Sequence, residues 1–249
     1  MVYRQLQFMR EQKLGYDKEH VLYIPMRGDI RASYAALKQE LSKNSKIQGV
    51  TAGRHLPTMI DSNSSGVDWE GKDPQQQVLI GQSMVDYDYL ETLKIELLEG
   101  RSFSREFATD TSEAFLINEE VMKVMGVPSA VGKRFSFAGR NGRIIGVMKN
   151  FHFKSLRDVI EPLAFILAPR ACVYMLIRVD ASDISGTLAS IEHTWKQVIP
   201  HYPFDGRFLD EEFDEMYRTE ERITSLLKYF AAFAIFIACL GLFGLASFM

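Results

Sequence analysis

RFLDEEFDEMYRTEERITSLLKYFAAFAIFIACLGLFGLASFM, residues 207–249, governs how the rest of the chain is read. Its last 21 residues, 229–249, carry no charge, and residues 207–240 contain neither Gly nor Pro. A membrane-crossing helix needs about 20 mainly apolar residues, so this run predicts a single helix leaving a water-exposed body for a bilayer. At about 1.5 Å per residue, the stretch free of Gly and Pro would reach on the order of 50 Å, further than the hydrocarbon layer extends. The polar part, 209–228, is therefore expected outside lipid as a stalk. Its narrow apolar row (Leu209, Phe213, Met216, Ile223, Leu227, then Phe230, with a gap at Glu220) suits one partner helix. Ala234, Ala238, Gly241 and Gly244 would admit another helix closely or simply face lipid. A core helix this long without a charge would be unusual, and a secretory signal would sit at the opposite terminus.

Residues 1–228 are enough for one large domain or two small ones. The net charge of -3 falls entirely on this part, with no basic cluster, which argues against a nucleic-acid surface. Before the apolar run, seven acidic residues between Asp210 and Glu221 stand against Arg218, Arg222 and Lys228. So few positive charges favour a non-cytoplasmic side. Cys172 and Cys239 are the only cysteines, and the second lies in the expected membrane helix, so no disulfide is expected. The chain reads as a piece of a larger membrane protein. Val2, Leu6 and Met9 share a helical face before Gly15, which predicts a second stalk helix over 1–19.

Within the body, residues 20–26 (HVLYIPM) predict a strand and 31–45 a helix with Tyr34, Leu37 and Leu41 inward. A strand follows at 47–52, then an exposed loop at 56–65 rich in Pro, Asp, Asn and Ser. Short strands are expected at 66–70 and 78–85, a helical turn with Leu90 and Leu93 capped by Asp86 or Asp88, and a strand at 95–98 ending at Gly100. Asn118 and Gly126 delimit a short helix with Glu119 and Glu120 at its positive end. The Asn141-Gly142 pair between 134–138 and 143–148 predicts a hairpin with its turn at 139–142. A further strand pair is expected at 164–167 and 173–179, and a helix carrying Ile184, Leu188, Ile191, Trp195 and Val198 stops before Pro200. Strand and helix alternate before Gly100 and after Val173 around a strand-rich middle. The pattern predicts an α+β chain, an α/β domain interrupted by an inserted β-rich lobe.

Catalytic signals are missing. Gly126, Gly132 and Lys133 approach a nucleotide loop, but the glycine spacing is one residue too long, Arg134 replaces the Ser or Thr that would meet magnesium, and no helix follows. Lys133 reads as the first exposed residue of a strand. The five histidines show no metal-ligand spacing, and His152, between two phenylalanines, reads as a packing or surface residue. There is no G-x-S-x-G, Cys172 has no neighbouring base, and the acidic run 210–215 reads as a solvated helix start. No catalytic, cofactor-binding or metal-ligating residue is assigned, and no cofactor is expected. Asn63, Ser64 and Ser65 form a glycosylation sequon that carries no weight without a secretory context. Trp69, Tyr87 and Tyr89 would line a groove or pack in the core.

Several stretches together resemble one family. They are QLQFMREQKLGYDKEHVL (5–22), VDYDYLETLKIELLEGRSFS (85–104), AFLINEEVMKVMG (114–126), VGKRF (131–135) and IIGVMKNFHFKSL (144–156). In this order they resemble the MacB/FtsX-like permeases of ABC transporters, most of all the branch common in Bacteroidota, across nearly the whole chain. The resemblance implies a porter-like α/β subdomain at 20–100 and 172–208, an inserted β-rich subdomain at 101–171, stalk helices at 1–19 and 209–228, and a transmembrane helix at 229–249. It implies a non-catalytic permease subunit in the cell inner membrane, its soluble domain periplasmic. The implied partners are an ABC ATPase subunit or domain, a second permease copy in a homo- or heterodimer, a periplasmic adaptor and membrane lipid, with no nucleic acid. Stalks in this family pass motion outward by mechanotransmission. The family's first membrane helix is missing before Met1 and its last two after Met249. The competing reading is a membrane-anchored, ligand-sensing ectodomain of a signalling protein. A kinase, cyclase or DNA-binding region beyond Met249 would mark it, where a permease would carry two further spans.

Overall fold

Apolar runs bounded by turn residues form the strands. VLYIP makes β1 (Val21–Pro25), and DIRASYAALKQEL makes α1 (Asp29–Leu41), which buries Ile30, Tyr34, Leu37 and Leu41 at helical spacing. Next come β2 (Ile47–Gly53), the two-residue β3 (Asn63–Ser64) and β4 (Asp68–Trp69), β5 (Ile80–Val85), α2 (Tyr89–Leu93) and β6 (Leu97–Gly100). The middle of the chain supplies α3 (Asp110–Glu113), β7 (Ala114–Asn118), α4 (Glu119–Met125), β8 (Arg134–Phe137), β9 (Arg140–Met148) and β10 (Leu163–Leu167). It closes with β11 (Tyr174–Val179), α5 (Ile184–Val198) and β12 (Arg207–Phe208). This computed structural model describes residues 14–156, 158–212, 226, 229–231, 233–237, 239 and 240.

Among the described residues the twelve strands join one sheet in the order β12-β1-β11-β2-β5-β10-β7-β9-β8-β4, with β3 on β5 and β6 on β9. At one end, β1, α1, β2, β11, α5 and β12 form two split strand-helix-strand units, antiparallel where neighbours pair. The chain between β2 and β11 contributes the rest of the sheet. There, parallel pairs (β5 with β10, β7 with β9) alternate with antiparallel ones. The fold is thus mixed α+β, as the alternation predicts.

Two buried clusters hold the sheet. In the first, Leu22, Ile24, Ala52, Met175 and Ile177 from the strands meet Tyr34, Leu37 and Leu41 of α1 and Ile191 and Trp195 of α5. In the second, Phe115, Ile117, Phe135, Phe137, Ile144 and Val147 meet Val121 and Met125 of α4, together with Trp69 and Ile80. Phe115 and Phe135 stack edge to face at 5.2 Å, a favoured ring geometry.

α4 has both ends specified by sequence: the Asn118 side chain accepts from the Val121 amide, and Gly126 is left-handed. Other expectations give way. The β8–β9 turn is Ala138-Gly139, both at positive φ, with Phe137 paired to Arg140, so Asn141 and Gly142 lie within β9. Gly142 is a glycine because a Cβ there would overlap the backbone carbonyl of Glu113; the signal that reads as a turn is a close approach. β10 and β11 do not pair, since β2 and β5 lie between them. The loop at 56–65 is only partly exposed: Thr58 and Ile60 are buried, and the Ile60 amide donates to Phe153. Asp86 and Asp88 do not cap α2, because both carboxylates are engaged by Lys38.

The chain divides into two compact units after Leu209. Residues 209–212 are helical. In the second unit, residues 226, 229–231, 233–237, 239 and 240 are helical, and Tyr229, Phe230, Phe233, Ile235, Phe236, Ile237 and Leu240 are exposed. Among the described residues no helix is long and apolar enough to cross a membrane. Much of the expected stalks and of the expected span at 229–249 lies outside the described residues.

Candidate functional site

The outgoing segment of the body is tied to β1, and the incoming segment to β11 and to residues 150–152 after β9. Leu14 and Tyr16 are buried, and a Cβ on Gly15 would lie 2.6 Å from the Asn150 carbonyl oxygen, so the backbone runs against Asn150 and Phe151. The Tyr16 ring meets Phe151 edge to face, and the His152 amide donates to the Leu14 carbonyl. Arg178 of β11 is the centre of this clamp. Its guanidinium donates to the carbonyls of Asp17 (2.6 Å), Glu19 (2.9 Å) and Thr92 (2.5 Å), and to the Asp17 carboxylate at 3.2 Å. Burial pulls Arg178 below its ordinary value against the pull of Asp17. Burial alone would raise Asp17, but Lys94 and Arg178 outweigh it and hold the carboxyl below its ordinary value. On the outgoing side, β12 pairs Phe208 with Leu22 and Arg207 with Tyr23 of β1, and Leu209 is fully buried.

A groove of about 1000 Å³ runs beside α1. One wall is the helix, through Gly28, Arg31, Ala32, Ala35, Lys38, Gln39 and Ser42; the other is made by Asp86, Tyr87, Arg105, Pro169 and Arg170. At its base the Tyr34 hydroxyl donates to Asp86 at 2.5 Å, and Lys38 bridges Asp86 (2.8 Å) and Asp88 (3.0 Å). Burial and the Asp86 charge push the Tyr34 hydroxyl far up, which keeps it a donor. The Arg105 guanidinium lies 4.4 Å from the centre of the Tyr87 ring.

Residues considered from sequence are placed as follows. Of Trp69, Tyr87 and Tyr89, only Tyr87 lines the groove; the other two are core residues. Cys172 is buried, and burial and Asp86 push its thiol well up, so it is not poised as a nucleophile. The His152 ring is partly covered, and burial lowers its pKa. Among the described residues no group of His, Cys, Asp and Glu could hold a metal ion. Sequence reasoning missed His55, whose Nδ1 is 3.1 Å from Ser83 Oγ and whose Nε2 is 3.6 Å from Asp61. Ser83 is fully buried within β5 and Asp61 is exposed, the reverse of what a nucleophile and its buried orienting acid require. Arg178 and the groove were missed as well. No local signal marks them, because their partners lie far apart in sequence.

Residues 6–192 match the family model of the MacB-like periplasmic core domain. The chain belongs to this family. MacB-like core domains are components of ABC transporter permeases of the MacB/FtsX type, and this chain carries one. Two solved structures share the fold. The periplasmic region of MacB from Actinobacillus actinomycetemcomitans is 16% identical with a TM-score of 0.56, over 85% of this chain and 98% of that one. The extracellular domain of the noncanonic ABC-type transporter YknZ from Gram-positive bacteria is 13% identical with a TM-score of 0.51, over 74% of this chain and 98% of that one. No curated protein sequence matches the chain.

Proposed function

We propose that the chain is the extracytoplasmic domain and first outgoing membrane helix of an ABC permease subunit. It couples ATP hydrolysis by a cytoplasmic partner to a periplasmic conformational change in export or extraction of a lipoprotein, peptide or toxic compound. The observation that carries this reading is the clamp. Arg178 of β11 binds the incoming residues Asp17 and Glu19, and the neighbouring strand β1 pairs with the outgoing β12. A displacement that reaches Asp17 and Glu19 or β12 is thereby passed to hydrogen-bonded sheet.

In this reading, 1–19 and 209–228 are stalks, 229–249 crosses the inner membrane, 20–100 with 172–208 is the porter-like subdomain, and 101–171 is the insert. The run of exposed apolar side chains between Tyr229 and Leu240 supports the membrane assignment. A second permease copy, an ABC ATPase, a periplasmic adaptor and surrounding lipid complete the assembly, and the catalysis belongs to the ATPase.

Cysteines placed at Phe213 and Met216 in the complete permease, with Cys172 and Cys239 replaced by serine, test the coupling. Disulfide cross-linking between copies is expected to differ between nucleotide-free and ATP-bound states. The same cross-links at the same yield in both states would overturn the reading.

A further inference from the structure

We propose that the groove beside α1 is a binding site for small molecules that carry an anionic head, phosphate or carboxylate, on an apolar body. This goes beyond the force-transmitting role and stands on the groove alone. Its volume of about 1000 Å³ is at the upper end of small-molecule sites, and its wall follows α1 from Gly28 to Ser42, roughly 20 Å of helix.

Charge selects the class of ligand. Four cations line the groove, and two are answered: Lys38 by Asp86 and Asp88, and Arg105 by Asp88 at 3.5 Å. The side chains of Arg31 and Arg170 make no ion pair or hydrogen bond with any described residue. They belong to different elements, the first turn of α1 and the short 3-10 turn after β10, and both border the same concavity. An uncompensated positive lining in a chain of net charge -3 is a local feature rather than a consequence of composition. A single unpaired surface arginine is ordinary. Two that converge on one groove from separate elements offer the forked donor geometry that carboxylates and phosphates accept.

The remaining lining selects the body of the ligand. Ala32, Ala35 and Pro169 bring no side-chain donor or acceptor, and the Tyr87 ring offers an apolar face already stacked by Arg105. The only carboxylate of the lining, Asp86, is held inward by Tyr34 and Lys38, so it does not repel an anion at the rim. The groove therefore combines the exposed guanidinium groups of Arg31 and Arg170 with apolar lining.

Isothermal titration of the full chain in lipid nanodiscs, with protein-free nanodiscs as the blank, tests this with three probes: inorganic phosphate, phenyl phosphate and octyl phosphate. Phenyl phosphate is expected to bind one to one and roughly tenfold tighter than inorganic phosphate, because the ring adds apolar contact. The double variant R31Q/R170Q, both substitutions on exposed side chains, is expected to weaken phenyl phosphate roughly tenfold or more. Ala35→Trp, which fills the groove from an exposed position, should weaken phenyl and octyl phosphate. Tighter binding of octyl than of phenyl phosphate assigns a lipid-like ligand; the reverse assigns a soluble phosphate ester. The absence of saturable heat with either ester, or unchanged affinity in both variants, overturns the proposal. The nucleotide-dependent cross-links play no part in this result, so either reading can fail alone.

Discussion

Around β11 the buried guanidinium of Arg178 joins residues far apart in sequence, whereas just before β7 the buried carboxylate of Asp110 joins near neighbours. Asn118 at the end of β7 reaches no further than Glu161 and Leu163. The hydrogen bonds of Arg178 span 86 to 161 residues. Those of Asp110, just before β7, reach Arg101 and Ser104, nine and six residues away. The cluster beside β7 is otherwise a stack of apolar side chains rich in phenylalanine. One region is thus a self-contained wall, and the other is where the chain's incoming and outgoing segments are stitched together. A desolvated guanidinium is a costly fastener, and it is used where a segment with little apolar surface of its own must be held.

Trp69 in the second cluster and Trp195 in the first give each region its own fluorescent reporter, read in W195F and W69F backgrounds. Phe135→Ala should cost about 4 kcal/mol, the usual loss for a fully buried phenylalanine, and shift the urea transition seen by Trp69. Arg178→Met keeps much of the stem but leaves the carbonyls of Asp17, Glu19 and Thr92 without their donor, for about 3 kcal/mol. Its shift should be larger at Trp195 than at Trp69. If both reporters move together in both variants, the sheet unfolds as one unit and the contrast between the regions is only architectural.

The same contrast explains what could be read in advance. α1, α4 and α5 were legible because helical periodicity and caps are local: Tyr34, Leu37 and Leu41 face inward, and Asn118 and Gly126 close α4. The family was legible from motifs in order. The clamp was not, because nothing near Arg178 in sequence announces Asp17 or Thr92. Nor was the groove, whose walls come from α1, residues 86–87, Arg105 and residues 169–170. The pairing of β10 with β5 instead of β11 was likewise decided by tertiary packing.

The hairpin shows how a strong local signal can belong to a long-range contact, and two glycine variants separate the cases. Gly142→Ala pushes a methyl group into the Glu113 backbone and should cost about 2 kcal/mol, within the usual range for overpacking. Gly139→Ala meets no atom within 4 Å but stays at positive φ, which should cost about 1 kcal/mol. Urea titration followed at Trp69 should therefore rank Gly142→Ala as the worse change. The opposite order would return the turn to Asn141-Gly142.

Acid titration draws the comparison most finely, since each region holds a carboxyl depressed by neighbouring cations, Asp110 in one and Asp17 in the other. Burial alone would raise Asp110, but Arg101, at 2.6 and 2.7 Å, and the Ser104 amide outweigh it and keep the carboxyl below its ordinary 3.8. Asp17 is depressed by Lys94 and Arg178 in the same way. A carboxyl lowered by folding stabilises the protein above its ordinary value, and that stabilisation is lost as pH falls through the lowered one. Asp110→Asn and Asp17→Asn should thus each be less stable than the parent at neutral pH, and each should flatten the loss of stability below about pH 4. Salt then tells them apart. The Asp110 side chain is 1% exposed beside an Arg101 that is 36% exposed, while Asp17 is 31% exposed beside a Lys94 that is 58% exposed. In 1 M salt, where screening acts within about 3 Å, the difference between parent and Asp17→Asn should shrink, while that between parent and Asp110→Asn should largely persist. Equal shrinkage of both would mean that the Arg101–Asp110 pair is as open to water as the Asp17–Lys94 pair, and the distinction between the two carboxyls would go with it.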